Sequence, residues 1–169
     1  MKWIYRHPRI YNLVDTIINL GLSNKARAQL VSSLKGKVLE VGIGSGKSIS
    51  YFNGEEFCGI DNSIFMLRKT KRRNNKLCVA SAYNLPFKGH SFDKVVFIYT
   101  LRVLENQDKA LEEAFRVGNE VIVLEFNTLP NIFEAFGKKV FGSYNLSSNL
   151  LKSFIHKRYI NRFVLHTKI

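Results

Sequence analysis

The chain has 169 residues, of which 46% are hydrophobic, so it can form one domain with a sizeable core and is too apolar to be disordered throughout. No apolar stretch approaches the roughly 20 residues of a membrane-spanning helix, and residues 1–9 lack the apolar stretch of a signal peptide. The formal net charge of +13 indicates an acidic or polyanionic partner or an anionic membrane surface. We therefore expect a cytoplasmic protein without a transmembrane segment.

The basic residues are concentrated in two segments. Six Lys or Arg residues and no acidic residue lie between Arg68 and Lys76, and seven Lys or Arg residues without an acidic one follow Glu134. Such segments bind RNA, an anionic lipid surface or a small anionic substrate, or they form solvated faces that keep a protein soluble. Charge alone leaves these alternatives open, so RNA or another acidic partner is one hypothesis among them.

The two cysteines indicate no metal centre. Cys58 and Cys78 are twenty positions apart, and neither belongs to a CxxC pair or to a Cys/His cluster with metal-ligand spacing. We therefore predict two reduced, buried thiols in a cytoplasmic protein and no metal site.

The first 35 residues have helical periodicity. Apolar side chains recur there at helical spacing, at Ile10, Leu13, Val14, Ile17 and Ile18. Gly21 is the predicted stop of this helix, and Ser23 is the predicted cap of a second helix that runs to about Ser33.

Short apolar strands alternate with helices along the middle of the chain. Strands are predicted over residues 37–41, 57–60, 77–80, 92–99 and 121–126, and helical segments over 48–52, from Ser63 onward and over 106–117. The tail is predicted to hold helices over 131–141 and 147–157 and one strand over 161–167. The alternation predicts an α/β fold with a doubly wound, mostly parallel sheet and helices on both faces.

The segment Glu40-Val41-Gly42-Ile43-Gly44-Ser45-Gly46 follows a predicted strand and precedes a helical turn. Glycines at such a place let the backbone turn sharply and approach a ligand closely. A triphosphate-binding loop needs a glycine where Val41 stands, and the dinucleotide fingerprint needs its third glycine one position after Gly46. S-adenosylmethionine is the third candidate ligand for this loop, because its cationic amino end can face Glu40. A glycine-rich turn without a ligand is the remaining alternative.

Other segments around this loop carry a resemblance to a known family. Residues 38–46 resemble the first motif of class I methyltransferases, and Gly59-Ile60-Asp61-Asn62-Ser63 with Met66-Leu67 is similar to their second motif. Ala82-Tyr83-Asn84-Leu85-Pro86-Phe87 with Ser91-Phe92-Asp93 resembles a third stretch, and Ala110-Leu111-Glu112-Glu113 with Arg116-Val117 resembles the helix before strand five. The chain thus resembles the S-adenosylmethionine-dependent class I methyltransferases, above all the ubiquinone/menaquinone-biosynthesis-like group.

The resemblance implies a Rossmann-like sheet within a single domain over residues 1–169. We expect an N-terminal helical cap over 1–35, a cofactor-binding core over 36–126 and a compact C-terminal part over 127–169. Two departures from the family stand out: the loop before strand five is shortened to Gly118-Asn119, and the 43-residue tail holds one predicted strand where relatives have two. Strand seven is therefore expected to be missing, unless the pattern of the tail misleads.

The resemblance also implies a set of residues that bind S-adenosylmethionine. Asp61 is expected to accept hydrogen bonds from the ribose hydroxyls, Asn62 and Met66 to lie near the adenine, and Tyr99 and Thr100 to flank the methionine moiety. Ser81 stands where the family has an aspartate that meets the adenine amino group. The expected cofactor-binding residues are Glu40, Gly42, Gly44, Gly46, Asp61, Asn62, Met66, Ser81, Ala82, Tyr83, Tyr99 and Thr100.

The sequence names no catalytic base. Methyl transfer from a sulfonium needs mainly positioning and exclusion of water, and a base only where the acceptor holds its proton at neutral pH. Tyr99 and Glu125 are the candidates, while Arg102 is either a group that recognises an acidic substrate or a surface residue. No Asp/Asn-Pro-Pro-Tyr follows the fourth strand, which argues against methylation of a flipped adenine.

Three functional hypotheses follow. The resemblance implies a methyltransferase that acts on a small-molecule acceptor. The basic segments and the short tail favour RNA or protein as the acceptor instead. Ser81 and the lack of a clear base favour a nucleic-acid- or partner-binding module with a degenerate cofactor pocket. The oligomeric state stays open.

Overall fold

A computed structural model describes residues 3–10, 13, 22–70, 76–126, 156–160 and 163–168. The predicted stop at Gly21 and the predicted helix over 131–141 lie outside these residues, as do most of the predicted helix over 147–157 and residues 71–75 of the first basic segment. Among the described residues, none of the helices is long and apolar enough to cross a membrane.

Seven strands form one sheet. They are β1 (Lys37–Val41), β2 (Glu56–Asp61), β3 (Lys76–Val79), β4 (Phe92–Ile98), β5 (Gly118–Phe126), β6 (His156–Ile160) and β7 (Phe163–Lys168). Their order across the sheet is β3-β2-β1-β4-β5-β7-β6. Strands β1 to β5 pair in parallel, whereas β7 is antiparallel to both β5 and β6. The predicted doubly wound, mostly parallel α/β sheet is confirmed.

Residues 8–10 and 13 are helical, and three further α-helices have described bounds. They are α1 (Leu22–Ser33), α2 (Ile64–Leu67) and α3 (Gln107–Val117), and short 3₁₀ helices cover Trp3–Arg6, Ile49–Tyr51 and Leu101–Val103. The hydroxyl of Ser63 accepts a hydrogen bond from the amide of Met66, and Asn106 does the same for Lys109, so both residues are N-caps. Ser23 is not the predicted cap of α1, because the helix already begins at Leu22 and Ser23 is buried within its first turn.

The tail contradicts the prediction of a single strand. Both β6 and β7 are present, so strand seven is not missing, and the predicted helix over 147–157 cannot include His156 and Lys157, which belong to β6. The pattern of β6 hides the strand, since three basic residues precede Tyr159 and Ile160 and no apolar alternation is visible. Backbone pairing with β7 supplies what the sequence pattern lacks.

Helices cover both faces of the sheet because the inner strands are apolar on both sides. In β4, Val95 and Phe97 belong to the cluster that packs against α3, whereas Val96 and Ile98 belong to the cluster that packs against α1. The unbroken apolar run that predicted this strand therefore serves two cores. Because β2 and β4 both pair in parallel with β1, the carboxyl ends of these three strands lie at one edge of the sheet, where the glycine loop begins.

Candidate functional site

The loop after β1 is built from three glycines in the left-handed region of backbone conformation. Gly42, Gly44 and Gly46 have φ angles of 77°, 59° and 77°. A Cβ atom on Gly42 would lie 2.3 Å from Cγ2 of Thr100, and one on Gly46 would lie 2.3 Å from Cγ2 of Thr70. Close packing of the loop therefore explains these two glycines without any ligand.

Gly44 differs from its neighbours in the space around it. A Cβ atom there would meet only Cε of Met66, at 3.7 Å, so the packing of the protein does not require glycine at this position. The hydroxyl of Thr70 donates a hydrogen bond to the carbonyl oxygen of Gly44 at 3.1 Å and holds the loop from below. The open side of Gly44 lets a ligand approach the backbone closely.

Asp61 ends β2 and is tied to this loop. Its Oδ2 accepts a hydrogen bond from the amide of Gly44 at 2.9 Å, and its Oδ1 accepts one from the amide of Ser63 at 2.8 Å. Burial raises the pKa of the Asp61 carboxyl, while both amides counteract the rise. Each carboxylate oxygen keeps a further acceptor site, which suits a ligand with two neighbouring hydroxyl groups.

Glu40 lies in β1, directly below the loop, and is fully buried. Its Oε1 accepts a hydrogen bond from the hydroxyl of Ser48 at 2.8 Å and lies 3.4 Å from Nη1 of Arg27. Its Oε2 is buried and has no hydrogen-bond partner within the described residues. Burial raises the pKa of Glu40 to about 7, opposed by Arg27 and Ser48 and supported by the negative charge of Asp61. Two carboxylates thus flank the loop, an environment that favours a cationic ligand over a pyrophosphate.

Tyr99 and Thr100 follow β4 at the same edge of the sheet. Tyr99 has a φ angle of 58°, so the strand ends at Ile98, one residue earlier than predicted. The Tyr99 hydroxyl donates to the carbonyl oxygen of Ser23 at 3.1 Å, and its ring stacks on that of Phe126 with centroids 4.8 Å apart. The Thr100 hydroxyl donates to the carbonyl oxygen of Gly42 at 3.3 Å, which joins β4 to the loop.

The loop that carries Ser81, Ala82 and Tyr83 follows β3. The hydroxyl of Ser81 accepts a hydrogen bond from the amide of Tyr83 at 3.2 Å, so the serine shapes its own turn. The Tyr83 hydroxyl accepts from the amides of Glu105 and Asn106 and so reaches the start of α3. Ser81 is exposed while Ala82 and Tyr83 are half-buried, which leaves this turn accessible beside the carboxyl end of β2.

Two side chains of α3 hold the far end of this loop. Arg116 donates from Nη2 to the carbonyl oxygen of Leu85 at 2.9 Å and from Nη1 to that of Phe87 at 2.8 Å. Glu113 accepts from the amide of Leu85 at 2.6 Å and pairs with Arg116. Asn62, in contrast, is exposed just after Asp61.

The two candidate bases are both engaged in the fold. Glu125, at the end of β5, is 1% exposed and accepts a hydrogen bond from the amide of Arg102 at 3.3 Å. The guanidinium of Arg102 donates to the carbonyl oxygen of Phe126 at 3.3 Å. The hydroxyl of Tyr99 donates its hydrogen bond to the carbonyl oxygen of Ser23. Among the described residues, no three His, Cys, Asp or Glu side chains lie close enough together to hold a metal ion.

Sequence reasoning missed Arg27 and Ser48 as members of this site. Arg27 lies on the inward face of α1, one helical turn before Leu30 and Val31, and is 8% exposed. A cation within an apolar helical stripe, followed by an acidic residue in an otherwise apolar strand, is a pattern that predicts a buried ion pair. Arg27 and Glu40 are thirteen residues apart in the sequence, and this spacing does not predict which acidic side chain Arg27 contacts.

Comparisons with known proteins show a likeness to methyltransferases. The family profile described as a methyltransferase domain matches residues 39–120. The chain is 36% identical over 92 residues to the uncharacterized protein MJ1123 of Methanocaldococcus jannaschii, covering 53% of this chain and 44% of that protein. It is 30% identical over 128 residues to the demethylmenaquinone methyltransferase of Paenarthrobacter aurescens, covering 69% of this chain and 51% of the relative. The chain thus spans about half the length of these two relatives.

A solved structure extends the likeness to the whole fold. The crystal structure of an S-adenosylmethionine-dependent methyltransferase from Thermotoga maritima, TM1293, superposes with a TM-score of 0.75 at 21% identity and covers 96% of both chains. The match over residues 39–120 includes the glycine loop, Asp61 and the turn at Ser81. The chain is therefore similar to the S-adenosylmethionine-dependent class I methyltransferases, and the demethylmenaquinone methyltransferases are among the relatives that it resembles.

Proposed function

We propose that the chain transfers the methyl group of S-adenosylmethionine to a small-molecule acceptor. The observation that carries the proposal is the hydrogen bond from the amide of Gly44, whose Cβ side is open, to the carboxylate of Asp61, with Glu40 buried in the strand that leads into the same loop. Two carboxylates beside a glycine without a packing role suit a ligand that is cationic at one end and carries neighbouring hydroxyls at the other. A nucleotide phosphate would instead meet like charge there.

The adenosine end of the cofactor would lie along the carboxyl ends of β2 and β3. Asp61 would accept hydrogen bonds from the ribose hydroxyls through the acceptor sites that Gly44 and Ser63 leave. The remaining adenosine-side residues of the proposal are Asn62, Met66, Ser81, Ala82 and Tyr83. Because Ser81 also shapes its turn, a hydrogen bond from the adenine amino group would need the second acceptor site of its hydroxyl.

The methionine end would lie against the glycine loop and the end of β4. Its proposed contacts are Glu40, Gly42, Gly44, Gly46, Tyr99 and Thr100. The unpartnered Oε2 of Glu40 would receive the cationic amino group directly or through one water. Hydrogen bonds from Thr70 and Thr100 to the loop carbonyls would keep the loop in this shape.

The chemistry asked of the protein is modest. When bound, S-adenosylmethionine supplies an electrophilic methyl group on a sulfonium. The residues of the chain would hold this group in line with the acceptor and exclude water. We propose no catalytic base, because the carboxylate of Glu125 is buried and the hydroxyl of Tyr99 is bonded to Ser23, so neither is placed by its known contacts to take a proton.

The acceptor is inferred from the relatives. Proteins named demethylmenaquinone methyltransferase recur among them, at 27% to 31% identity, and they support a small-molecule acceptor. RNA or protein is the second candidate, favoured by the net charge of +13. Exposed cations beside the site, such as Arg68 and Lys69 after α2, would then bind phosphate.

Radiolabelled methyl transfer to a cell extract tests the proposal. The extract is incubated with the protein and labelled S-adenosylmethionine and then separated into RNA, protein and organic-soluble fractions. We expect the label in the organic-soluble fraction, with wild-type protein but not with Asp61→Ala. Label in RNA or protein would establish the second candidate. No label in any fraction, together with no calorimetric binding of S-adenosylmethionine at millimolar concentration, would refute the enzyme.

A further inference from the structure

Arg27 links helix α1 to the proposed methionine site. Among the described residues, it is the one side chain of α1 that forms an ion pair with Glu40. Its Nη1 donates to the hydroxyl of Ser48 at 2.9 Å and lies 3.4 Å from Oε1 of Glu40. Ser48 in turn donates to the same Oε1 at 2.8 Å. Helix α1, strand β1 and the segment after the glycine loop are therefore joined at a single buried carboxylate oxygen.

The same guanidinium also lies over the ring of Tyr99. Its central carbon is 5.3 Å from the ring centroid, which is cation–π distance. The Tyr99 hydroxyl closes a second link to α1 by donating to the carbonyl oxygen of Ser23 at 3.1 Å. Tyr99 has a positive φ angle that a tyrosine adopts only when its surroundings hold it there. Arg27 and Ser23 are two of the groups that do so.

Two buried polar atoms at this point lack a hydrogen-bond partner within the described residues. They are Nε of Arg27 and Oε2 of Glu40. An unmade hydrogen bond on a buried charged group is costly, so native proteins keep few of them without a functional reason. Oε2 of Glu40 is thus a buried acceptor that no described residue uses, and we assign it to a donor that the ligand supplies.

The charge of Glu40 depends on its neighbour. Burial raises the pKa of Glu40 to about 7, and the Arg27 guanidinium is the largest influence that opposes the rise. Ser48 opposes it as well, whereas the negative charge of Asp61 supports it. With a pKa of about 7, Glu40 is only partly ionised at neutral pH, and loss of the Arg27 charge would raise this pKa further and weaken the attraction of Glu40 for a cationic group.

We infer that Arg27 is a positioning residue for the methionine end of the cofactor: it orients the Glu40 side chain, holds Tyr99 and makes the docking of α1 a condition for binding the amino-acid part of the ligand. The inference rests on the proposed function and deepens it, because it assigns a binding role to the helical cap outside the family motifs. It predicts that Arg27 matters for ligands with an amino-acid end and not for ligands that lack one.

Two probes separate the ends of the site. S-adenosylhomocysteine carries both the adenosine and the amino-acid end, whereas 5′-methylthioadenosine carries only the adenosine end. Titration calorimetry of both probes is performed on wild type, Arg27→Gln, Glu40→Gln and the double variant. Lys25→Gln is the matched control, since it removes an exposed cation from the same helix.

We expect Arg27→Gln to weaken binding of S-adenosylhomocysteine by about tenfold or more, as the loss of a buried charge partner does elsewhere. Binding of 5′-methylthioadenosine should change by less than about twofold, and Lys25→Gln should leave both probes unchanged. If Arg27 acts through Glu40, the double variant should bind S-adenosylhomocysteine no more weakly than Glu40→Gln alone.

Equal weakening of both probes, or unchanged binding of S-adenosylhomocysteine, would overturn the inference and leave Arg27 a structural residue or a bystander. If Arg27→Gln does not fold, as judged by circular dichroism, Arg27→Lys replaces it. Lysine keeps the charge but offers no planar group to Tyr99. We therefore expect Arg27→Lys to weaken the binding of S-adenosylhomocysteine selectively, but by less than Arg27→Gln. Wild-type affinity for S-adenosylhomocysteine would overturn the inference. Failure of the wild type to bind either probe would instead refute the proposed function.

Discussion

The amide of Gly44 donates a hydrogen bond to Oδ2 of Asp61 over 2.9 Å, so the glycine loop and the acid at the end of β2 form one rigid unit. The amide of Ser63 holds the other carboxylate oxygen at 2.8 Å. With both oxygens bonded to backbone, the orientation of the carboxylate is set before any ligand arrives. Preorganisation of this kind lowers the entropic cost of binding.

Replacement of Asp61 by alanine should remove the ribose contacts and loosen the loop at Gly44. Hydrogen bonds to a charged group contribute about 1.5–3 kcal/mol each, so we expect the affinity for S-adenosylhomocysteine to fall by at least about tenfold. In contrast to Arg27→Gln, this variant should also weaken the binding of 5′-methylthioadenosine. Calorimetry measures both, with Asp108→Ala, an exposed acid in the first turn of α3, as the control. Unchanged affinity of Asp61→Ala would show that the ribose is bound elsewhere.

The glycines of the loop should differ in what they do. Gly42→Ala places a Cβ atom against Thr100 and should lower the free energy of unfolding more than Gly44→Ala, whose cost is the positive φ angle alone, about 1–2 kcal/mol. Gly44→Ala should weaken the binding of S-adenosylhomocysteine more than Gly42→Ala does, because its added methyl group projects into the space proposed for the ligand. Urea unfolding and calorimetry on the folded fraction test the pair. A Gly44→Ala variant that binds S-adenosylhomocysteine normally would place the ligand away from this loop.

Local patterns predicted the inner sheet well because its strands are apolar on both faces. The bounds of β1 match the prediction, and β4 differs only at Tyr99, whose positive φ angle leaves no trace in an apolar run. The sequence predicts the start of β5 at Val121, whereas the strand begins at Gly118, because Gly118-Asn119-Glu120 has the polar composition of a loop. Backbone pairing with β4 extends the strand across these residues.

The candidate site was predictable only where short motifs carry it. The motifs named Glu40 and Asp61, because Glu40 is the acid next to the last residue of an apolar strand, just before the glycines, and Asp61 ends the following strand. The partner of Glu40 was not predictable, since the choice of Arg27 depends on how α1 packs over β1. Likewise, the strand β6 depends on pairing with β7, a contact between segments whose own patterns are weak.

Arg116 should control the loop that holds the adenosine side. Its guanidinium binds the carbonyl oxygens of Leu85 and Phe87, so Arg116→Met removes both contacts while it keeps most of the apolar stem. We expect faster hydrogen exchange at the amides of Leu85 and Tyr83 and weaker binding of 5′-methylthioadenosine. Lys109→Met, an exposed cation on the same helix, is the control. Exchange that is no faster than in wild type would mean that Glu113 alone secures the loop.

Two buried acids should make the stability of the protein depend on pH. Burial raises the pKa of Glu40 and of Glu125 to about 7, from a value of 4.5 in the unfolded chain. The native state therefore holds these protons over a range in which the unfolded state has released them, so the stabilisation is complete below 4.5 and is lost as the pH rises through 7. Within that window, the free energy of unfolding should fall by about 1.4 kcal/mol per pH unit for each group. Urea unfolding from about pH 5 to about pH 8 should give a shallower slope for Glu125→Gln, whereas the exposed Glu112→Gln should follow wild type. A slope unaffected by Glu125→Gln would mean that Glu125 is already ionised in the native state at about pH 5, with the amide and the charge of Arg102 outweighing the effect of burial.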